Sequence, residues 1–453
     1  MAQTQVKRRG SIRAEELAIN GGPKAISGFE GRGKPKIGIE EFMALAETFG
    51  YSAEARRKMR AILEAEADNP SPHLTRYYNP RPSKVDKLEA YARELFGVKY
   101  ALAVNSGTSA LNCAYVACGI GPGDEVIVPA YTFFATAAAV VSSRAIPVIA
   151  EIDESLTIDP DDVARKITPR TKAIAPVHMG GNCANMDAIM ELARAHKLFV
   201  IEDNAQSCGG SYKGRLLGTI GDVGCFSISS FKITGGGEGG MVLTNDEWLY
   251  WRAASHHETG GCWRPDRFAR ERRPGELWCG QNYRMSELEG AVNLVQLRKT
   301  KAQAKRYNTN MRRVVGALDE FRNTRLRRSN DPEGDVGYQI ALLAKDRQAA
   351  DLLSAALRAE GLSAWARGSS GARDWHIYSD WEQILERKTQ TPEGCPFTCP
   401  HYEGPLPPYS VDMCARSVEL FDTAVFVSID QWWTAGDCRA VAGAINKVCG
   451  YYG

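Results

Sequence analysis

Short apolar runs and amphipathic segments alternate along much of the chain. Apolar runs of four to six residues predict buried strands, whereas apolar positions three or four residues apart predict helices. The predicted strands are 100–104, 125–128, 147–150, 173–177, 198–201, 223–228 and 241–244. The helices predicted around them are 84–96, 109–118, 136–143 and 186–196. This alternation favours an α/β fold with a mainly parallel, doubly wound sheet that helices cover on both faces.

The pattern changes on both sides of this region. Before it, a basic, polar arm is followed by one or two amphipathic helices within 39–66. After it, the pattern predicts a long helix over 287–314, strands at 336–344 and 424–429, and helices at 349–360 and 438–448. The sequence therefore predicts an N-terminal arm with helices (1–83), a large domain (84–300) and a smaller α+β C-terminal domain (301–453).

Composition narrows the class of protein without revealing its chemistry. A 44% hydrophobic and 24% charged content is ordinary for a globular chain, and the net charge of +2 indicates neither a nucleic-acid nor a membrane surface. No apolar stretch approaches the ~18 residues that span a bilayer. The basic N-terminal residues have no apolar core behind them, so we expect no secretory signal and a cytoplasmic protein with reduced thiols.

The chain has 12 cysteines, and one cluster resembles a metal knuckle. The segment CPFTCPH places Cys395, Cys399 and His401 close together, with Cys414 beyond. Their spacing is loose, and no second Cys-x-x-Cys pair accompanies them. A proline-punctuated loop with incidental thiols is the favoured interpretation, and no metal is expected.

The strongest chemical signal lies between residues 200 and 245. One apolar run ends in Glu202 and Asp203, and the next leads to Lys232 and the glycine-rich turn 235–240. Strand ends of an open α/β sheet form its ligand-binding edge. An aspartate and a lysine there suit pyridoxal phosphate: the lysine forms the Schiff base, and the aspartate keeps the pyridine nitrogen protonated. Apolar neighbours would lower the pKa of Lys232 and favour its neutral amine.

Other strand ends carry weaker signals. In NSGTSAL (105–111), backbone amides at a helix start either hold a phosphate dianion or belong to an ordinary N-cap. In PAYTFFAT (129–136), one of Phe133 and Phe134 could stack on a planar ring while the other packs inward. In EDNAQS (202–207), Gln206 could bond a ring hydroxyl, whereas Glu202 could simply cap a neighbouring element.

Taken together, six segments resemble the DegT-type (DegT/StrS) sugar aminotransferases, which are fold type I enzymes that depend on pyridoxal phosphate. The segments are NSGTSAL, GPGDEVIVPAYTFFAT, PVHMGGNCANMDAI, VIEDNAQSCGGSYKG, GDVGCFSISSFKITGGGEGG and NYRMSELEGAV. The resemblance implies that Lys232 is the Schiff-base lysine, Asp203 the partner of the pyridine nitrogen, Gln206 a contact of the ring oxygen and Phe133 the stacking aromatic. It also implies two further sets of contacts. The cofactor's phosphate is held by Ser106, Gly107, Thr108 and Ser227, and Asn282 reaches the phosphate of the neighbouring subunit in a homodimer with shared sites.

The resemblance further implies a reaction. An amino group would move from glutamate or glutamine to a keto-sugar or keto-cyclitol, in the biosynthesis of amino sugars or aminocyclitols for secondary metabolites or surface polysaccharides. A dehydratase or deoxygenase of the same fold is a weaker alternative, because such relatives have histidine where Lys232 stands. A non-catalytic, cofactor-binding regulator would need a DNA-binding module, of which the sequence shows no sign.

Departures from the family concern the substrate. Phe231 stands where the family has a small polar residue, and Asn204 replaces an alanine or cysteine. The segment 256–280, here called the arginine-rich segment, combines Arg, His and Trp side chains that suit an anionic sugar. The alternative for this segment is a solvated flap with scattered ion pairs. The candidate acceptor-binding residues are Tyr78, His178, His256, His257, Arg264 and Arg267.

Overall fold

The computed structural model describes residues 11–28, 36–66, 73–78, 82–264, 266–368 and 373–452. The chain forms two compact units, Met1–His73 and Leu74–Gly453. The first unit contains helices α1 (Ile39–Thr48) and α2 (Ala53–Ala65). Ser52 caps α2 by accepting a hydrogen bond from the backbone N–H of Ala55. The region 39–66 therefore folds as two helices rather than one.

Thirteen strands lie within the described part of the second unit. In chain order they are β1 (Tyr100–Val104), β2 (Glu125–Pro129), β3 (Ile146–Ala150), β4 (Thr171–Ile174), β5 (Phe199–Asp203), β6 (Ser211–Tyr212), β7 (Arg215–Leu216), β8 (Val223–Ser227), β9 (Gly240–Thr244), β10 (Thr324–Leu326), β11 (Gln339–Ala344), β12 (Ala364–Ala366) and β13 (Ala424–Ser428). The helices of this unit are α3 (Lys84–Phe96), α4 (Gly107–Ala117), α5 (Ala135–Ser142), α6 (Pro160–Lys166), α7 (Met186–His196), α8 (Glu247–His257), α9 (Glu287–Val315), α10 (Arg347–Ala359), α11 (Glu382–Leu385), α12 (Ala415–Thr423) and α13 (Ala435–Tyr452). None of the helices within the described residues is long and apolar enough to cross a lipid bilayer.

The larger sheet has seven strands in the order β1-β9-β8-β5-β4-β2-β3. Its neighbouring strands are parallel except that β9 runs antiparallel to both β1 and β8. Most strand positions are buried, since helices pack on both faces. The carboxyl ends of β1, β5 and β8 consequently meet at one edge, where β9 begins. This arrangement confirms the predicted α/β fold with a mainly parallel sheet.

A second, four-stranded sheet has the order β10-β11-β13-β12, and all its pairs are antiparallel. Its apolar residues form a core with α10 and α13. The 29-residue helix α9 packs on α3, beside the seven-stranded sheet, and on α13, beside the four-stranded sheet. The domain boundary predicted at 300/301 falls inside α9, and the three-part division of the chain stays a prediction.

Several elements were not predicted. Helix α6 has only seven residues, with too little periodicity to be recognised, although Asp159 caps it. Helix α8, EWLYWRAASHH, has no clear apolar stripe in its sequence. Its buried face includes partly buried tryptophans and buried histidines, which the hydrophobic pattern does not mark as core residues. The edge strands β10 and β12 have three residues each, which is too short for an alternation to be read.

Candidate active site

A cavity of about 350 Å³ opens at the carboxyl edge of the seven-stranded sheet. Eight of the residues predicted to bind a cofactor line it. They are Ser106, Gly107, Thr108, Phe133, Asp203, Gln206, Ser227 and Lys232. Each follows or ends a strand, so the sheet topology alone brings together residues more than a hundred positions apart in sequence.

The two acids at the end of β5 have different partners. Glu202 is fully buried and accepts hydrogen bonds from the backbone N–H groups of Gly218, Ile220 and Gly221 and from His178. Burial alone would raise the pKa of Glu202, but these donors hold it below its usual value. Glu202 therefore fastens the 218–221 turn to the sheet, the capping role that the sequence left open for it.

Asp203 instead faces the cavity. Its carboxylate accepts hydrogen bonds from the hydroxyl of Thr136, at 2.8 Å, and from the backbone N–H of Ala205, at 3.1 Å. The Thr136 hydroxyl in turn lies 2.8 Å from that of Thr132. Burial raises the pKa of Asp203, and the two hydrogen bonds and the charge of Lys232 oppose this only in part. An ionised Asp203 would thus gain from a cationic partner inside the cavity.

Lys232 lies in the loop between β8 and β9. The backbone N–H of Lys232 donates to the carbonyl of Ser229, and Ser230 and Gly237 pair farther along, so the loop folds back on itself. Burial lowers the pKa of Lys232, and the charge of Asp203 opposes this only in part. The neutral amine, which is the nucleophilic form, is therefore more accessible than in an exposed lysine.

The opposite end of the cavity is suited to an anion. Helix α4 begins at Gly107, behind the N-cap Ser106, whose hydroxyl accepts from the N–H of Ser109. The N–H groups of Gly107 and Thr108 have no protein acceptor among the described residues. A Cβ atom at Gly107 would lie 2.7 Å from that of Ser227, so only glycine permits this contact. Two free donors at the positive end of a helix dipole can hold a phosphate.

The middle of the cavity has an aromatic wall and a fixed amide. The Phe133 side chain is 45% exposed, whereas Phe134 packs inward against Trp375 and Trp381. Gln206 Oε1 accepts from the N–H of Gly180, at 3.0 Å, and the hydroxyl of Tyr338, at 2.9 Å. Because both donors meet the same oxygen, the Gln206 amide group is left as a donor.

Residues 78–380 match the DegT/DnrJ/EryC1/StrS aminotransferase family. The chain belongs to this family. Two relatives are GDP-perosamine synthase of Caulobacter vibrioides, 44% identical over 45% of this chain and 53% of its own length, and L-glutamine:2-deoxy-scyllo-inosose aminotransferase of Micromonospora echinospora, 37% identical over 54% and 58%. The chain thus aligns with little more than half the length of these relatives.

Solved structures agree on the fold. The aminotransferase from Psychrobacter cryohalolentis is 27% identical, with a TM-score of 0.63, and the match covers 83% of this chain and 93% of that one. The fold is that of type I enzymes dependent on pyridoxal phosphate, as the sequence predicted. The DegT-type family and its fold were therefore both identified correctly from the sequence motifs.

The histidines predicted to bind the acceptor do not line the cavity. His178 is fully buried: its Nδ1 accepts from the N–H of Ala184, so its Nε2–H donates to Glu202. His256 lies between Asn112 and Trp278, and His257 between Tyr77 and the carbonyl of Ala254. Burial lowers the pKa of His256 to about 4 and that of His257 to about 3. These three side chains are held away from the cavity of this subunit, and the Tyr78 side chain lies outside the described residues.

The arginine-rich segment is exposed over much of 266–275 but is anchored at Arg264 and Glu276. The guanidinium of Arg264 pairs with Glu276, which is fully buried, and lies 4.5 Å from the centre of the Trp251 ring. Arg272 also bonds Glu276. Arg267 instead bonds Thr259 and Glu258. A flap with scattered ion pairs is therefore the wrong description of Arg264, although neither Arg264 nor Arg267 lines the cavity.

We expect Arg264→Ala to destabilise the protein by about 2 kcal/mol, because a buried carboxylate loses one of its two cationic partners. Hydrogen bonds from Arg264 and, to a smaller extent, from Arg272 lower the pKa of Glu276 to about 2 against the effect of burial. A carboxyl group whose pKa is lower in the folded than in the unfolded protein stabilises the fold at pH values above its unfolded pKa, here near 4.5. This contribution is lost as the pH falls toward the folded pKa, about 2. Thermal melts should thus show a difference between variant and wild type at neutral pH that shrinks below pH 4.5.

Arg270→Ala is the control, because Arg270 is exposed on the same segment and only its carbonyl meets Arg264. Equal melting of the two variants would contradict the anchoring role. An acceptor role for Arg264 or Arg267 stays a prediction. It requires that the alanine variants slow the reaction with the acceptor while the reaction with the amino donor is intact.

Sequence reasoning missed some residues of the cavity. Thr136, which donates to Asp203, sits in the segment PAYTFFAT but carries no signal beyond its position. His376 lines the cavity from a stretch, 365–410, that the sequence showed only to be rich in Trp, Gly and Pro. A histidine beside an aspartate, as in DWH (374–376), is the signal that was available.

Two further predictions concern metal binding and the subunit contact. Among the described residues, no group of three or more His, Cys, Asp or Glu side chains is placed to hold a metal ion. Cys414 is buried, where its thiol meets the carbonyl of Ile149, while Cys395 is exposed. Asn282 is exposed and does not line the cavity of its own subunit.

Proposed function

We propose that this chain is an aminotransferase that uses pyridoxal phosphate to move an amino group from glutamate or glutamine to a keto-sugar or keto-cyclitol. The product would be an amino sugar or aminocyclitol, made in the cytoplasm for a secondary metabolite or a surface polysaccharide. The family supports the type of reaction. The acceptor class rests on the names of relatives that make GDP-perosamine or aminate 2-deoxy-scyllo-inosose.

One observation carries the proposal: Lys232, with a lowered pKa, shares a cavity with the buried carboxylate of Asp203 and the anion-binding start of α4. These three groups match the aldehyde, pyridine nitrogen and phosphate of the cofactor. Gln206 presents a donor to the ring oxygen, and the exposed ring of Phe133 can stack on the pyridine. The volume of about 350 Å³ lies in the usual range for small-molecule sites, roughly 300–1,000 Å³. The residues present therefore fit pyridoxal phosphate.

When bound, pyridoxal phosphate supplies an electron sink for the donor's α-carbon and carries the amino group between the two substrates. Lys232 would hold the cofactor and, once the donor displaces it, take the proton from the donor's α-carbon at Nζ and return it later. Asp203 would keep the proton on the pyridine nitrogen, while Thr136 and Ala205 hold its carboxylate in place. Gly107, Thr108 and Ser227 would anchor the phosphate.

The retained lysine distinguishes this proposal from the dehydratase or deoxygenase alternative. An amine with a lowered pKa in the cavity suits repeated proton transfer at the donor's α-carbon. No observation in the described residues favours the alternative, or a non-catalytic regulator, over amino transfer.

The proposal includes a homodimer with shared sites. Asn282 is exposed, and Phe231 is 100% exposed although it precedes Lys232, so both are free to meet a second subunit. We expect mixed dimers of Lys232→Ala and Asn282→Ala subunits to regain activity that neither variant has alone. The reason is that one of their two sites would combine an intact Lys232 with the partner's intact Asn282.

Sedimentation should show a dimer at assay concentrations for the wild type and both variants. An active monomer would contradict the shared site. Mixed subunits without any regained activity, when re-association has been verified by differently tagged chains, would place Asn282 outside the partner's site.

The proposed function has a direct spectroscopic test. Purified protein should absorb visible light through its bound cofactor, and glutamate or glutamine should bleach this absorbance. A panel of 2-deoxy-scyllo-inosose and GDP- or UDP-linked keto-hexoses should then be screened for recovery of the absorbance. Recovery with one of them identifies the acceptor class. No bleaching with either donor would contradict amino transfer from these amino acids.

A further inference from the structure

A histidine stands at the cavity in a position that the cofactor does not account for. His376 lines the cavity together with Lys232 and Phe133. Its imidazole centre lies 5.5 Å from that of the Phe133 ring, at an interplanar angle of 53°. The His376 side chain is 37% exposed, so the imidazole is accessible from the cavity while it leans on an aromatic wall.

The backbone around His376 is fixed to the sheet side of the cavity. The N–H of Thr132 donates to the carbonyl of His376 at 2.8 Å, and that of Phe134 donates to Trp375 at 2.9 Å. On the other side, the N–H of Tyr378 donates to Ala130 at 2.9 Å. This short antiparallel contact holds His376 in register with the segment that carries Phe133. The imidazole position is therefore set by the fold rather than by a loose loop.

Asp374 fixes the orientation of the ring. Its Oδ1 lies 2.9 Å from His376 Nδ1 and also accepts from the His376 backbone N–H, at 2.9 Å. Burial alone would raise the pKa of Asp374, but the hydrogen bonds from His376 hold it below its usual value. A carboxylate only accepts, so Nδ1 must carry a proton. His376 Nε2 has no protein partner among the described residues.

The other titratable side chains of the cavity leave His376 as the group for the acceptor. Lys232 and Asp203 are assigned to the cofactor. Glu238 belongs to the exposed part of the glycine-rich loop, where its carbonyl accepts from Asn293. Among the described titratable side chains of the cavity that are not assigned to the cofactor, His376 is the one that a second side chain orients, and its Nε2 is free. A ring nitrogen that accepts when neutral and donates when protonated can bond a sugar hydroxyl in either state.

We propose that His376, oriented by Asp374, is an acceptor-binding residue whose Nε2 hydrogen-bonds a hydroxyl of the polyhydroxylated keto substrate. This inference rests on the proposed function, because it assigns His376 to the second substrate of that reaction. It predicts a division between the two halves of the reaction. The amino donor reacts without His376, whereas the keto acceptor depends on it.

Two substitutions separate the two nitrogens of the imidazole. The amide of His376→Asn falls near the place of Nδ1 and can still meet Asp374, whereas the amide of His376→Gln falls near Nε2 and can still meet the substrate. We expect His376→Asn to lose about tenfold in kcat/KM for the acceptor, as for one lost hydrogen bond. His376→Gln should lose less. Both should react with glutamate or glutamine at the wild-type rate, followed as bleaching of the visible absorbance.

The acceptor in this test is whichever of 2-deoxy-scyllo-inosose and the GDP- or UDP-linked keto-hexoses the wild type accepts. Calorimetric titration of that compound into Lys232→Ala, with and without His376→Asn, should show weaker binding in the double variant, without any turnover. His196→Asn is the control, because His196 is exposed at the end of α7. It should behave as wild type in both halves.

Three results would overturn the inference. Equal losses in both half-reactions, or a larger loss in His376→Gln than in His376→Asn, would mean that His376 acts through Asp374 on the cavity wall. Unchanged acceptor kinetics and binding in both variants would exclude a contact. Each of these leaves the donor reaction of the wild type standing, so the proposed function would survive them. If the wild-type protein reacts with neither glutamate nor glutamine, both the proposed function and the inference about His376 would be contradicted.

Discussion

Replacing Lys232 with alanine is expected to abolish turnover and leave the fold intact. Among the described residues, Lys232 Nζ has no salt bridge or side-chain hydrogen bond, so little folding energy depends on it. Its chemistry has no substitute, because the remaining lining residues offer no second amine. Proton transfer by a placed side chain alone contributes roughly 10²–10⁴-fold, and loss of the covalent attachment adds to this.

Steady-state turnover and thermal melting together test this expectation. Lys299→Ala is the control, because Lys299 is an exposed lysine on α9. It should retain wild-type turnover and stability. The Lys232→Ala variant should melt like the wild type without cofactor and show no turnover above background. Full turnover in this variant would mean that another group performs the chemistry.

Asp203→Asn should slow turnover by roughly 10³-fold or more, a barrier increase of about 4 kcal/mol at 1.36 kcal/mol per decade. Asparagine has the size of aspartate, and its one amide oxygen can still accept from the N–H of Ala205. The Thr136 hydroxyl, which meets the other oxygen of Asp203, can turn to accept from the asparagine NH2, so the cavity should keep its shape. It cannot balance a positive charge on the pyridine nitrogen. The electron sink at the donor's α-carbon is then lost, although binding persists.

The matched control is Asp222→Asn. The carboxylate of Asp222 also accepts a backbone hydrogen bond, from Val200, but Asp222 is exposed and immediately precedes β8, away from the cavity. Rapid-quench or steady-state rates should be near wild type for Asp222→Asn and strongly reduced for Asp203→Asn. A near-wild-type rate for Asp203→Asn would remove Asp203 from the proposed role.

Strand ends explain why much of the site was predictable. The buried runs before Asp203, Ser227 and Asn105 are short, apolar and separated by helices, so a parallel sheet follows from the pattern. Parallel strands then place their carboxyl ends at one edge. The eight predicted cofactor residues that line the cavity all come from such ends or from the loop after β8. The fold and this cavity were accessible because local patterns determine both.

The sequence was less informative where tertiary contacts decide the position of a side chain. His256 and His257 resemble site residues in sequence, yet α8 buries them against Asn112 and Ala254. The guanidinium of Arg264 is bound by Glu276, twelve residues later, and its acceptor role stays a prediction. His376, by contrast, lines the cavity but was not predicted from the sequence. Its place beside Phe133 depends on backbone pairing between segments about 240 residues apart, which no local pattern reveals.

The attachment of the cofactor to Lys232 is the central claim, and peptide mapping after borohydride reduction tests it most directly. Protein purified with its cofactor should be reduced, digested and sequenced by mass spectrometry. The account predicts one modified peptide, with the pyridoxyl group on Lys232, and none from protein that was bleached with glutamate or glutamine before reduction. A pyridoxyl group on another lysine, or no modified peptide from protein that still absorbs visible light, would contradict it.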